Sequence, residues 1–167
     1  EMIAALVTES TKVEVTDASL TIFDLPTIAE LNAIAAKTTG VVTATLAANS
    51  LANLGDLTTA ATDAIAIKVN DADETAITAS DLSKLGGKTA GTVTVTNAVA
   101  ITGTTAEMIA ALVTESTKVE VTDASLTISD TPTPDELNAL DAATTGTITY
   151  GSGGTFTQIG RDIDGSS

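Results

Sequence analysis

The sequence predicts a β-solenoid of the α/β repeat type, right-handed, with parallel strands and one short helix in each rung of about 20–31 residues. Three observations predict it. Residues 1–22, EMIAALVTESTKVEVTDASLTI, recur without a change as residues 107–128, an offset of 106. A shorter frame, acid-Leu-x-x-Leu/Ile-x-x-x-Thr-x-Gly, occurs as ELNAIAAKTTG (30–40), DLSKLGGKTAG (81–91) and ELNALDAATTG (136–146). Finally, Phe23, Phe156 and Tyr150 are the only aromatic residues among 167, and Trp is absent. The side chains that bury the most area are therefore scarce, and thin packing between neighbouring repeats suits the chain better than one large core. Handedness follows from the general preference for right-handed crossovers.

Each rung is expected to open on a strand, marked by β-branched residues in alternation: VEVT (13–16), IAIKV (65–69), TVTVT (92–96) and VEVT (119–122). A corner follows at Asp17, Asn70, Asn97 or Asp123, residue types that bond their own backbone in tight turns. A second strand comes next, as SLTI (19–22), TAIT (75–78), VAIT (99–102) and SLTI (125–128). Capping-box pairs then open a helix: Thr27 with Glu30, Thr78 with Asp81, Thr104 with Glu107, and Thr133 with Glu136. Asp is the weaker partner in such a box. Pro134 suits a first helical residue, and Gly40, Gly91 and Gly146 are expected where the chain leaves its last turn. Helices of about ten residues do not hold alone in water, so their Leu pairs must pack on the strands. The unit led by Leu51 is the shortest, with no full second strand, and is expected to be a local defect.

Two regions follow: a repeat array over residues 1–150, in which the 106-residue period holds about four rungs, and a Gly/Ser linker and tail over 151–167.

Composition narrows the function. Seven Lys and Arg stand against 22 Asp and Glu, for a net charge of −15. Phosphate binding needs a basic stripe, so nucleic acid is excluded as an expected partner. No apolar run approaches the roughly 20 residues that span a bilayer. Cys is absent, which removes disulfides and thiolate chemistry, and His is absent, which removes the commonest general base and imidazole metal sites. No catalytic residue and no cofactor is expected, and the chain reads as a non-enzyme. Hard-oxygen ligands for Ca²⁺ are the one candidate site chemistry, at Asp71 and Asp73 in VNDADET and at Asp162 and Asp164 in the tail. Neither group has the ligand count of a complete calcium loop, and solvated turn carboxylates are the competing reading.

The ELNAIxAxTTG frame and its Thr-rich strands resemble the giant tandem-repeat surface proteins of marine cyanobacteria and related bacteria, whose repeats are described as calcium-binding haemolysin-like or adhesin repeats. TQIGRDIDG (157–165) resembles the start of an FG-GAP-type propeller repeat, with an incomplete calcium loop. The first resemblance implies secretion, an extracellular or cell-surface location, and a structural or adhesive task. The expectation is thus a structural repeat module of a surface or filament, associating with identical repeats or copies. An adhesin binding a glycan or a cell-surface partner is the alternative, and a β-helix polysaccharide-active enzyme the remote one.

Overall fold

The computed structural model describes residues 2–8, 13–151 and 154–156. In chain order the elements are α1 (Met2–Leu6), β1 (Leu20–Thr21), α2 (Ile28–Ala35), β2 (Val42–Thr45), α3 (Leu51–Leu54), β3 (Ala64–Val69), β4 (Ala76–Thr78) and α4 (Ala79–Gly86). They continue with β5 (Val93–Val95), β6 (Ala100–Gly103), α5 (Thr105–Leu112), β7 (Ser125–Ile128), α6 (Pro134–Asp141), β8 (Ile148–Tyr150) and β9 (Gly154–Phe156). Strands β1, β2, β3 and β5 form one parallel sheet. Strands β4, β6, β7 and β8 form a second, and β9 adds to β8 in antiparallel sense.

Period-two alternation decides which strand residues point inward. Val42 and Ala44 are buried while Thr43 and Thr45 are exposed, and Ile65, Ile67 and Val69 of β3 face the same way. Parallel registry then stacks like on like: Ile67 lies beside Val93, and Ile101, Leu126 and Ile148 form a row across the second sheet. Helices supply the other side of the core through Leu31, Ile34, Leu82, Leu85, Met108, Leu112 and Leu140, all at most 2% exposed. None of the helices carrying these residues exceeds eight residues, so packing rather than intrinsic helicity holds them.

The predicted capping threonines all occupy N-caps. Reciprocal boxes form at Thr27, Thr104 and Thr133, where the Glu carboxylate accepts from the cap amide at 2.9, 2.8 and 2.8 Å. At Thr78 the hydroxyl accepts from the Asp81 amide at 3.1 Å, but the shorter Asp side chain reaches only the hydroxyl and leaves the cap amide alone. The predicted helix-exit glycines sit elsewhere. The C-caps are Ala36, Gly87 and Ala142, all right-handed, and Gly40, Gly91 and Gly146 come four residues later.

The expected right-handed β-solenoid is corrected by the strand order. The described residues form a small α/β domain with two four-strand parallel sheets and six helices. A solenoid of two-strand rungs needs first strands to stack on first strands and second on second without interruption. Here the second-strand segment β1 pairs with β2, and β2 pairs with β3, a first-strand segment. In the repeated block the twin of β1, β7, lies between β6 and β8 in the other sheet. In chain order the two ladders overlap only from β3 to β6, with β1 and β2 before the overlap and β7 and β8 after it. The short unit between α2 and α3, expected to be a local defect, supplies the single strand β2 and no second strand. The first strand predicted at 13–16 does not form, and its twin at 119–122 makes only an isolated bridge, Glu120 to Thr94.

Candidate functional site

The polar chemistry of the described residues concentrates where one repeat meets the next. Thr38, Thr89 and Thr144, each two residues before a glycine of the repeated frame, form the same clasp. The Thr38 hydroxyl donates to the Ala18 carbonyl at 2.6 Å and accepts from the Gly40 amide at 2.9 Å. Thr144 does the same with Ala124 at 2.6 Å and Gly146 at 3.0 Å. Thr89, buried between β3 and β5, accepts from the amides of Ile65 and Gly91, both at 2.8 Å, and its hydroxyl lies 2.9 Å from the carbonyls of Asp63 and Ile65. The glycine completes the clasp by close approach: a Cβ at Gly40 would stand 2.5 Å from the Ala18 carbonyl, and one at Gly91 or Gly146 would overlap the carbonyl of Ile65 or Ala124. The glycines are required by backbone contact between repeats, whereas they were expected where the chain leaves the last helical turn.

Two further clasps had no clear sequence signal. Asp63, 4% exposed, accepts from the Val42 amide and the Ala60 amide at 2.8 Å each, tying β3 to β2. Asn32 on α2 donates to the Asp56 carbonyl at 2.9 Å and accepts from the Thr58 amide at 2.8 Å, matching an amide side chain to a backbone segment. Only the residue type hints at the contacts between repeats, since Val42, Asp56 and Thr58 lie 21 to 26 positions from their partners.

The calcium candidates Asp71 and Asp73 lie in the corner between β3 and β4. Asp71 accepts from the Leu51 amide at 2.7 Å, and Asp73 from the Ala98 amide at 3.0 Å. Asn97 donates to the Asp71 carbonyl at 2.7 Å, and Glu74 holds the corner with a positive φ of 62°. The corner thus joins three segments of backbone. Among the described residues no three acidic side chains are gathered in a way that could hold a metal ion. Asp162 and Asp164, with the TQIGRDIDG motif, lie outside the described residues.

Four carboxylates have pKa values held below the ordinary range. Glu30 and Glu136 are lowered chiefly by the cap amides of Thr27 and Thr133, with their hydroxyls adding to the effect. Asp130 is lowered by the Thr105 hydroxyl and amide, at 2.6 and 2.7 Å, and Asp81 by the Lys84 ammonium and the Thr78 hydroxyl. All four shifts come from helix ends. None marks a group poised for proton transfer.

One concave feature stands apart. Because the short repeat lacks a second strand, β4 is an edge strand, and beside it opens a groove of about 720 Å³ lined by Leu51, Asp71, Ile77, Asp81, Lys84 and Lys88. Its charges are partnered: Lys84 lies 3.0 Å from Asp81, and Lys88 donates to the Gly55 carbonyl at 2.6 Å. Among the described residues no helix is long and apolar enough to cross a membrane. Against family models, curated proteins and solved structures alike, the chain has no match.

Proposed function

We propose that the chain is a non-enzymatic structural module, a building unit of an extracellular surface layer or filament made from tandem copies of the 106-residue period. The observation that carries this reading is the Thr-x-Gly clasp, which recurs at Thr38, Thr89 and Thr144 and at each of these positions joins a repeat to the one before it by side-chain-to-backbone bonds. Asp63, Asp71 and Asp73 likewise accept backbone amides from neighbouring repeats. A surface of net charge −15 keeps such units soluble and mutually repelling except where the joints form. The extracellular location rests on the resemblance to giant bacterial surface repeats.

Electron microscopy of negatively stained protein carrying four consecutive periods, with and without a calcium chelator, tests it. Elongated particles whose length grows with period number and survives chelation are expected; compact particles of constant outline would overturn the reading. The adhesin alternative is favoured by one feature, the groove beside β4. Its apolar floor and amphiphilic rim suit a glycan or an extended peptide.

A further inference from the structure

The duplicated block allows a comparison that few chains permit, because 22 identical residues occur in two environments. Locally the two copies fold alike. The Val13 amide donates to the Ala5 carbonyl at 2.6 Å, as Val119 does to Ala111 at 2.7 Å. Leu20 bonds the carbonyl of Val41 and Leu126 that of Thr147, both at 2.9 Å, and both copies carry the Thr-x-Gly clasp. Burial separates them. Val13 is 57% exposed and Val119 2%; Ala5 is exposed where Ala111 is fully buried, and Ala18 and Leu20 are half-buried where Ala124 and Leu126 are buried.

What covers the second copy is the stretch from α4 to β6. Glu120 exchanges backbone bonds with Val93 and Val95 at 2.8 Å each, and β6 pairs with β7, adding Ser125 to Val99 at 3.0 Å and Ser129 to Gly103 at 2.9 Å. Gly86 brings α4 against the Thr117 backbone so closely that no Cβ would fit, and Asp130 caps Thr105 at the start of α5. In the first copy β1 is an edge strand, and the twin groups Glu14, Ser19 and Phe23 have no such strand beside them among the described residues.

The opposite end differs. The twin of β2 is β8, and where β2 takes the parallel strand β3, β8 takes the antiparallel β9. The β8 edge is thus taken by an antiparallel strand, so the two ends differ: β1 has a neighbour on one side alone, and its twin β7 lies between two parallel strands.

We propose that the face formed by Ala5, Val13, Ala18 and Leu20 with the outer edge of β1 is a docking surface for a second copy of the 79–103 segment, supplied by a further period preceding it in the same polypeptide. A separate chain is a poor donor, because its own 107–128 block already covers that segment with an identical sequence at far higher effective concentration. The proposal rests on the structural reading above and specifies its joint.

The test places residues 23–106 ahead of Glu1, which recreates the natural Ala106–Glu107 junction because Glu1 is the twin of Glu107. Amide hydrogen exchange is then followed at Glu14, Ser19 and Phe23. Exchange should slow by about 100-fold relative to the single chain, approaching that of Glu120, Ser125 and Ser129. Gly86→Val in the added unit alone should reverse the slowing. Unchanged exchange at the three amides, with Glu120 still protected, would overturn the proposal, as would a tandem chain that does not fold. Slowing in the single chain as its concentration rises would overturn the assignment to a tandem donor. The two ideas fail separately: compact multi-period particles with slowed amides would sink the filament reading alone, and elongated particles with unchanged amides would sink the docking surface alone.

Discussion

At the scale of the residue, a few threonines make the polar joints of the interior. Thr89 accepts two backbone amides in the interior, and nothing else there can replace its oxygen. Thr89→Val keeps the shape and strands the buried Ile65 amide, so the unfolding free energy should fall by about 1–3 kcal/mol in urea titration. Thr89→Ser should restore most of the loss, because the hydroxyl carries the effect; equal loss in both variants would show that packing of the methyl matters instead. Acid reads another group of residues. Glu30, Glu136, Asp130 and Asp81 have folded-state pKa values below their ordinary ones, so each contributes stability above its unfolded pKa and loses it as pH falls through the lower folded value. The melting temperature should hold from pH 7 to about 5 and drop below about 4.5. Asp130→Asn should weaken that drop, and a melting temperature that rises on acidification would contradict the assignment.

At the scale of the element, capping does what helix length cannot. Helix α5 has a complete box, and α4 has only half of one. Glu107→Ala removes the bond to the Thr104 amide and should therefore cost about 1 kcal/mol, and Asp81→Ala, which has no such bond to lose, about 0.5 kcal/mol or less, in matched denaturation curves. Equal costs would mean that the Glu107 arm adds nothing. Elements were also where the sequence was most readable. Capping threonines, Pro134 and the alternation in 65–69 act within a few residues, and the structure places α2, α4, α5, α6 and β3 where they point. VEVT at 13–16 carries the same strand signal and forms no strand, because pairing needs a neighbour, and β5 stands only beside the twin at 119–122. The glycines of the frame were found but misread. Their role depends on a carbonyl from another repeat, which local spacing does not reveal. The acidic corner at Asp71 and Asp73 reads as a candidate ligand set from composition, and composition does not show that each carboxylate also accepts from an amide 20 or 25 residues away.

At the scale of the whole molecule, sheet order depends on how repeats of unequal length add up, and one short unit redirects the ladder from one sheet to the other. Rung-by-rung periodicity therefore predicted uninterrupted first-strand and second-strand ladders and missed that β1 and its twin β7 lie in different sheets. The same inequality makes the molecule an experiment on itself, because identical residues report the difference between an interior and an end. Val119→Lys places an ammonium at a site 2% exposed, with no carboxylate arranged to receive it, and should destabilise the chain by at least about 3 kcal/mol. Val13→Lys puts the same side chain into the same local sequence at a site 57% exposed, and should change stability by no more than about 0.5 kcal/mol. Propensity, local hydrogen bonding and the unfolded chain's neighbouring residues are matched in the pair, so the difference isolates coverage by the α4–β6 segment. Circular dichroism melts of the two variants beside the parent chain measure it. A large loss at both positions would mean that residue 13 is covered in solution and that the β1 end is not open. Little loss at either would mean that the 79–103 segment packs too loosely on its own twin block to serve as a joint.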